Sequence, residues 1–302
     1  MHSFPLLLNI TLAALLVSST SQAIAAEPVL PPSAAYQTPD SWRQPVAPFR
    51  IADHTWYIGT QGLTALLVKT PAGAVLIDGG LPQAADMLLA RMDELGIASQ
   101  ELKWILHSHA HGDHAGPLAA VRRATGARLV SNAESAALLA RGGSDDIHYG
   151  DGILYPPVQV DRLLMDGETV ELGGMRFTVH FTPGHTPGSM SWSWNDTRTD
   201  TSNDTQDGAI QRIVYADSLG APDYRLVGNP RYPGIVEDYR RSFAVVRSLP
   251  CDVLIAPHPA GVGWTPAATD APHPEPMSCR VYADSAEAAL DKQLDAQRMQ
   301  AR

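Results

Sequence analysis

This 302-residue sequence predicts an α/β protein in which two sheets pack face to face with helices on their outer surfaces. Two observations carry that expectation. Short β-prone runs give way to helical periodicity, and the order of strands followed by a helix occurs twice along the chain. A hydrophobic content of 44% with 18% charged residues supplies the apolar surface such a core needs.

Taken in order, residues 56–59, 64–68 and 74–78 are β-prone runs between Gly or Pro punctuation and read as an antiparallel meander. Residues 83–95 change period, with Ala85, Leu88, Leu89, Met92 and Leu95 on one helical face and Gly96 as the stop. Residues 104–106 return to a buried strand that runs into histidines. The second half predicts strands at 175–181, 188–194 and 212–216. A helix at 236–249 follows, placing Val236, Tyr239, Phe243, Val246 and Leu249 on one face. A strand at 251–256 and a closing helix at 284–298, N-capped by Asp284, complete the pattern. Residues 195–207, rich in Asp, Thr, Ser and Asn, read as a solvated hairpin loop. Residues 51–302 thus form a single domain of two αβ halves, about 51–170 and 171–302, preceded by a Pro-rich arm at 26–50 expected to be extended.

The first 25 residues are expected to be a signal peptide. Residues 4–17 are apolar but too short to span a bilayer about 30 Å thick. Ala23-Ile24-Ala25 offers a small-x-small cleavage site that leaves Ala26 first, although Met1 to Phe4 lacks the usual Lys or Arg. The expected product is an exported, periplasmic protein with no membrane segment in its mature form. In an oxidising compartment Cys251 and Cys279 are expected to form a disulfide, with metal ligation the weaker alternative. The net charge of −10 argues against a nucleic-acid partner, which would require a basic stripe to displace counterions.

Chemistry concentrates in His107-Ser108-His109-Ala110-His111-Gly112-Asp113-His114. His109 and His111 lie two apart at a strand end, so both imidazoles can project to one side, and Gly112 permits the turn to Asp113 and His114. So many buried imidazoles would each need a partner, and a metal supplies one. Neutral imidazoles with one carboxylate and no thiolate suit Zn(II), with Fe(II) and Mn(II) open on side chains alone. His185, in a Gly/Pro turn, and His258, between Pro257 and Pro259, occupy similar strand-end settings. Six donors divide naturally over two metals about 3.5–4 Å apart, bridged by a hydroxide.

His109-x-His111-x-Asp113-His114, with Gly184-His185-Thr186 and Pro257-His258 downstream, resembles the metallo-β-lactamase fold family, an αββα sandwich of two mixed sheets. More narrowly it is similar to subclass 3 of the class B zinc β-lactamases. Tyr215-Ala216-Asp217-Ser218-Leu219, Gly228-Asn229-Pro230-Arg231-Tyr232-Pro233 and the paired Cys251 and Cys279 extend the likeness over roughly residues 35–300. The resemblance implies two zinc ions per chain, the first held by His109, His111 and His185 and the second by Asp113, His114 and His258. It implies that Ser218 helps bind a substrate carboxylate, and that Asp113 and Tyr224 act in catalysis, Tyr224 donating to a developing oxyanion. Gly220 departs from relatives that carry a second serine there. The implied reaction is attack of a zinc-bound hydroxide on the β-lactam carbonyl of penicillins, cephalosporins and carbapenems, conferring antibiotic resistance.

Other readings stay open at this stage. One is a glyoxalase-type thioesterase or lactonase of the same fold, in which an aspartate near Asp217 would bridge both metals; another is an exported zinc-binding protein without turnover. His107 and His180 are expected to be structural, and His54, His148 and His273 solvated, with His148 and Tyr149 in a loop (142–157) that could rim the cleft. Asp78 could orient a ligand histidine or cap a turn. The chain could be a monomer or a homo-oligomer, with Met165 the first contact to inspect.

Overall fold

Sheet pairing in the computed structural model, which describes Met1 and residues 38–199, 208–266 and 277–301, gives two mixed sheets. The first runs β1 (Phe49–Arg50), β2 (Thr55–Tyr57), β3 (Leu66–Thr70), β4 (Gly73–Ile77), β5 (Leu102–Leu106), β6 (Arg128–Ser131) and β7 (Arg162–Leu163) in spatial order. The second runs β12 (Val253–Ile255), β11 (Ala209–Tyr215), β10 (Met190–Arg198), β9 (Met175–Phe181) and β8 (Thr169–Leu172). The meander over β1 to β4 is antiparallel, and β4, β5, β6 and β7 then pair in parallel. In the second sheet only β11 and β12 pair in parallel. Parallel pairing brings the C-terminal ends of β4 and β5, and of β11 and β12, out as loops where ligands are commonly held.

Side-chain alternation decides which face each strand buries. On β3, Leu66 and Val68 join the core between the sheets with Phe177, Val179, Trp192 and Tyr215 of the second sheet. Leu67, together with Leu76 and Ile105, faces outward to Leu88 and Met92 of α1 (Ala85–Glu94) and to Leu118 and Val121 of α2 (Leu118–Thr125). On the far side, Tyr239, Phe243 and Val246 of α4 (Ile235–Ser248) pack with Leu290 and Leu294 of α5 (Cys279–Gln300).

Several expectations need correction. The closing helix starts at Cys279, capped by Ser278 whose hydroxyl accepts from the Val281 amide, and Asp284 instead pairs with Arg247 at 2.7 Å. Its first turns carry Cys and Val, weak helix formers that packing against α4 holds in place. Residues 195–198 continue β10, whose edge extends through pairing with β11, so Asn195 opens no loop; Asp196 is buried there. The 26–50 arm is not simply extended over its described part. Asp40–Trp42 forms a 3-10 turn, and Val46 and Phe49 are buried. Elements α2, β6, β7, β8 and α3 (Ala133–Ala140) lay in stretches too short or too mixed in period to read from sequence. The signal-peptide segment, residues 195–207 beyond Thr199, and His273 lie outside the described residues.

Cys251 and Cys279 are joined, tying the segment before β12 to the first residue of α5. With a sequence separation of 28, Cys251→Ser is expected to cost about 3.6 kcal/mol of stability if the unfolded chain gains the full loop entropy. Denaturant titration of the variant against the oxidised parent measures this. Among the described residues no helix is long and apolar enough to cross a membrane. Met165 is 71% exposed beside Leu163 at 57%.

Candidate metal centre

The histidine motif leaves β5, a strand buried in the middle of its sheet, and is held on both sides. From the first sheet, Asp78 follows β4 with φ 56° and accepts from the Ser108 amide, the Ser108 hydroxyl and the Tyr215 hydroxyl, each at 2.7 Å. Burial pushes the Asp78 carboxyl upward, while His114 and these donors pull it back. From the second sheet, the Met190 amide donates to the Ser108 carbonyl at 2.8 Å and Trp192 Nε1 to the His107 carbonyl at 2.9 Å. Both halves therefore set the path of one loop.

His185 and His258 reach the same place from other strand ends. Gly184, between β9 and β10, has φ 139°, and a Cβ there would lie 2.7 Å from the Tyr239 ring, so only glycine lets the turn close. His185 Nδ1 lies 2.9 Å from the Gly220 carbonyl, which fixes that nitrogen as the donor and leaves Nε2 free. His258 follows β12; Thr64 holds its approach by donating from its amide to the Pro257 carbonyl (2.9 Å) and from its hydroxyl to the Ala256 carbonyl (2.6 Å).

Two donor groups result. His109, His111 and His185 each offer an atom, all within 4.8 Å of one another, and so do His109, Asp113 and His114. Asp113, His114 and His258 form a tighter triangle: His114 Nε2 is 3.2 Å from His258 Nε2 and 3.2 Å from Asp113 Oδ2, and His258 Nε2 is 3.4 Å from Asp113 Oδ2. A tetrahedral ion with bonds of about 2.0–2.1 Å spaces its donors by about 3.3–3.4 Å, so this triangle fits one. His109 Nε2 is buried with no hydrogen-bond partner among the described residues, which a metal bond would supply.

The charges agree. Burial, reinforced by the neighbouring imidazoles, holds His109 and His185 well below the usual histidine range, so both are neutral, as ligands must be. Against the upward pull of burial, His114 and His258 hold Asp113 well below the usual carboxylate range. Against the downward pull of burial, Asp113 holds His114 at about 9.

Sequence reasoning missed the supports of these ligands. Asp217 Oδ1 lies 2.8 Å from His109 Nδ1, and Asp146 Oδ2 lies 3.4 Å from His111 Nε2. Trp42 packs over His258 with ring centroids 5.0 Å apart. Asp217 sat in a recognisable motif without this role, while Asp146 and Trp42 are in irregular segments with no periodic signal. Asp217→Asn is expected to lower affinity for the first metal about 10–100-fold, because its carboxylate fixes the His109 tautomer. Chelator competition measures it, and an unchanged affinity would remove Asp217 from this role.

The remaining candidates occupy varied places. Ser218 and Gly220 line a cleft of about 780 Å³ that also exposes His111, Asp113, His185 and His258. A Cβ at Gly220 would meet nothing within 4 Å. Tyr224 is buried, its hydroxyl 3.5 Å from His185 Nδ1 and its ring stacked on His148 at 3.4 Å. His148 is therefore not solvated; burial pushes it down to about 4, and it packs as a neutral ring. His54 is not free in solvent either, because Asp196 lies 2.7 Å from its Nδ1. His107 Nε2 meets the Ser131 hydroxyl and His180 Nε2 the Ser193 hydroxyl, each at 2.8 Å.

Comparison with known proteins agrees with this geometry. Residues 59–258 match the metallo-beta-lactamase superfamily. Among solved structures, BJP-1 of Bradyrhizobium japonicum, a subclass B3 metallo-beta-lactamase, is 34% identical, with 87% of this chain and 98% of that one covered and a TM-score of 0.75. The metallo-beta-lactamase MIM-1 of Novosphingobium pentaromativorans is 34% identical, with 89% and 97% covered and a TM-score of 0.78. A hydroxyacylglutathione hydrolase of Anaeromyxobacter dehalogenans is 38% identical over 118 residues, 39% of this chain, which spans only 36% of that protein. By the superfamily match and by these metallo-beta-lactamase structural neighbours, the chain belongs to the metallo-beta-lactamase superfamily and is a metal-dependent hydrolase.

Proposed function

We propose that this hydrolase is an exported β-lactamase that loads two zinc ions and opens the β-lactam ring of penicillins, cephalosporins and carbapenems, so conferring resistance to them. The observation that carries the reading is the disposition of Asp217 and Ser218. Asp217 bonds the rear nitrogen of His109 instead of lying between the two donor groups, and the next residue, Ser218, faces the cleft. Zinc, when bound, supplies Lewis acidity and lowers the pKa of a coordinated water to about 7. The chain's own residues do the rest. His109, His111 and His185 present one set of donors, and Asp113, His114 and His258 a second beside it. Ser218 offers a hydroxyl to a substrate carboxylate in a cleft whose described lining contains no lysine or arginine. Apolar walls from Ile153, Ala221 and Trp42 displace water from the bound ring.

The Cys251–Cys279 bond supports an oxidising compartment, and we place the mature start at Ala26 in the periplasm. The match to a hydroxyacylglutathione hydrolase favours a second reading, hydrolysis of a thioester by the same centre. A panel of penicillin, cephalosporin, carbapenem, monobactam and a glutathione thioester, each with and without a chelator, separates the two. Carbapenem turnover that the chelator abolishes and zinc restores is expected. Thioester turnover with a flat carbapenem trace would replace the β-lactamase reading.

A further inference from the structure

The resemblance assigns an oxyanion donor to Tyr224, yet Tyr224 does not line the cleft. Its ring is buried beneath His148, and its hydroxyl makes only long contacts, 3.5 Å to His185 Nδ1 and 3.4 Å to the Tyr149 hydroxyl. His185 Nδ1 already donates to the Gly220 carbonyl. Tyr149 stands between Tyr224 and the cleft. It lines the cavity, is 37% exposed, and lies edge-on to His111 with ring centroids 5.2 Å apart.

The loop that carries Tyr149 is built to hold it there. Asp146 Oδ1 accepts from the amides of His148 (2.7 Å) and Tyr149 (2.8 Å), and the Asp146 and Gly150 backbones exchange hydrogen bonds at 3.0 and 2.9 Å. The His148 ring anchored on Tyr224 supplies a second fixed point. At 3.4 Å the link to Tyr224 is too long for a strong O–H···O bond, so the Tyr149 hydroxyl can turn to a better acceptor in the cleft.

We propose that Tyr149 is the hydroxyl that touches the substrate, donating to the carbonyl oxygen on the His109–His111–His185 side as charge develops there, and that Tyr224 positions it from behind. This rests on the acyl-hydrolase reading above. No covalent step passes through either tyrosine; each keeps its proton. A donor that acts mainly on developing charge lowers kcat and kcat/KM together when removed.

The test is steady-state kinetics of the zinc-loaded parent, Tyr149→Phe, Tyr224→Phe and the double variant, on whichever compound of the panel the parent turns over best. Metal content and Tm are measured alongside. Tyr149→Phe is expected to lower kcat at least tenfold with KM within about twofold, at unchanged metal content. Tyr224→Phe is expected to lose less, and the double variant to match Tyr149→Phe because the two act through one hydroxyl. A Tyr149→Phe variant within twofold of the parent in kcat, a larger loss in Tyr224→Phe, or losses that multiply would each overturn the assignment while leaving the functional reading standing. A parent that turns over nothing in the panel would overturn both.

Discussion

Asp113→Ala is expected to lower kcat/KM for a carbapenem by roughly a thousandfold or more, with one metal equivalent retained and the fold intact. Asp113 is the only carboxylate in the triangle with His114 and His258, and its Oδ2 lies 3.2 and 3.4 Å from their Nε2 atoms. Without it only the imidazoles of His114 and His258 are left to hold the second ion, too few for a tetrahedral site with an open position. Several kcal/mol of electrostatic stabilisation at one ion corresponds to about three orders of magnitude in rate. The three-histidine group keeps its donors and its support from Asp217. Kinetics, metal analysis and a thermal melt on the same preparation decide the matter. Undiminished turnover with two metals bound would show that Asp113 is not a ligand.

Asp78→Ala is expected to be the largest single loss of stability, about 3–6 kcal/mol. The carboxylate is completely buried, and its removal strands the Ser108 amide, the Ser108 hydroxyl and the Tyr215 hydroxyl. Each buried donor left unpaired costs about 1–3 kcal/mol. Alanine is also poorly suited to the left-handed backbone that Asp78 adopts at φ 56°. For a domain of this size about 2–4 °C of Tm is lost per kcal/mol, so a fall of about 6–24 °C is expected. Activity should fall further than stability alone explains, because Ser108 is the residue before His109. Asp78→Asn, which keeps the shape and part of the acceptor capacity, should recover some of the Tm. A melt unchanged by Asp78→Ala would mean that water satisfies those donors.

The six candidate donors were legible because metal chemistry puts unusual residue types at short, regular spacings. The histidine motif after a buried strand, and single histidines held by proline or glycine at two later strand ends, stand out against any structural role. The main strands and the helices at 85–94 and 235–248 were legible for a similar reason, since burying one face imposes a period of two or of about 3.6 on apolar residues. The chain's membership of a two-sheet sandwich follows from that alternation.

What only the tertiary structure decided are interactions between segments far apart in the chain. Asp217 is 108 residues from His109, and Trp42 comes from a Pro-rich lead-in with no periodic signal at all. Asp146, 35 residues beyond His111, gives no sign in its own loop that it faces a ligand imidazole. The exchange of places between Tyr149 and Tyr224 turns on how one loop lies over another, which no local spacing encodes. Sequence therefore determined the candidate metal-binding residues and the layers, because both write local patterns. The supporting contacts and the face each aromatic ring presents were set by packing, where partners are chosen by position in space rather than along the chain.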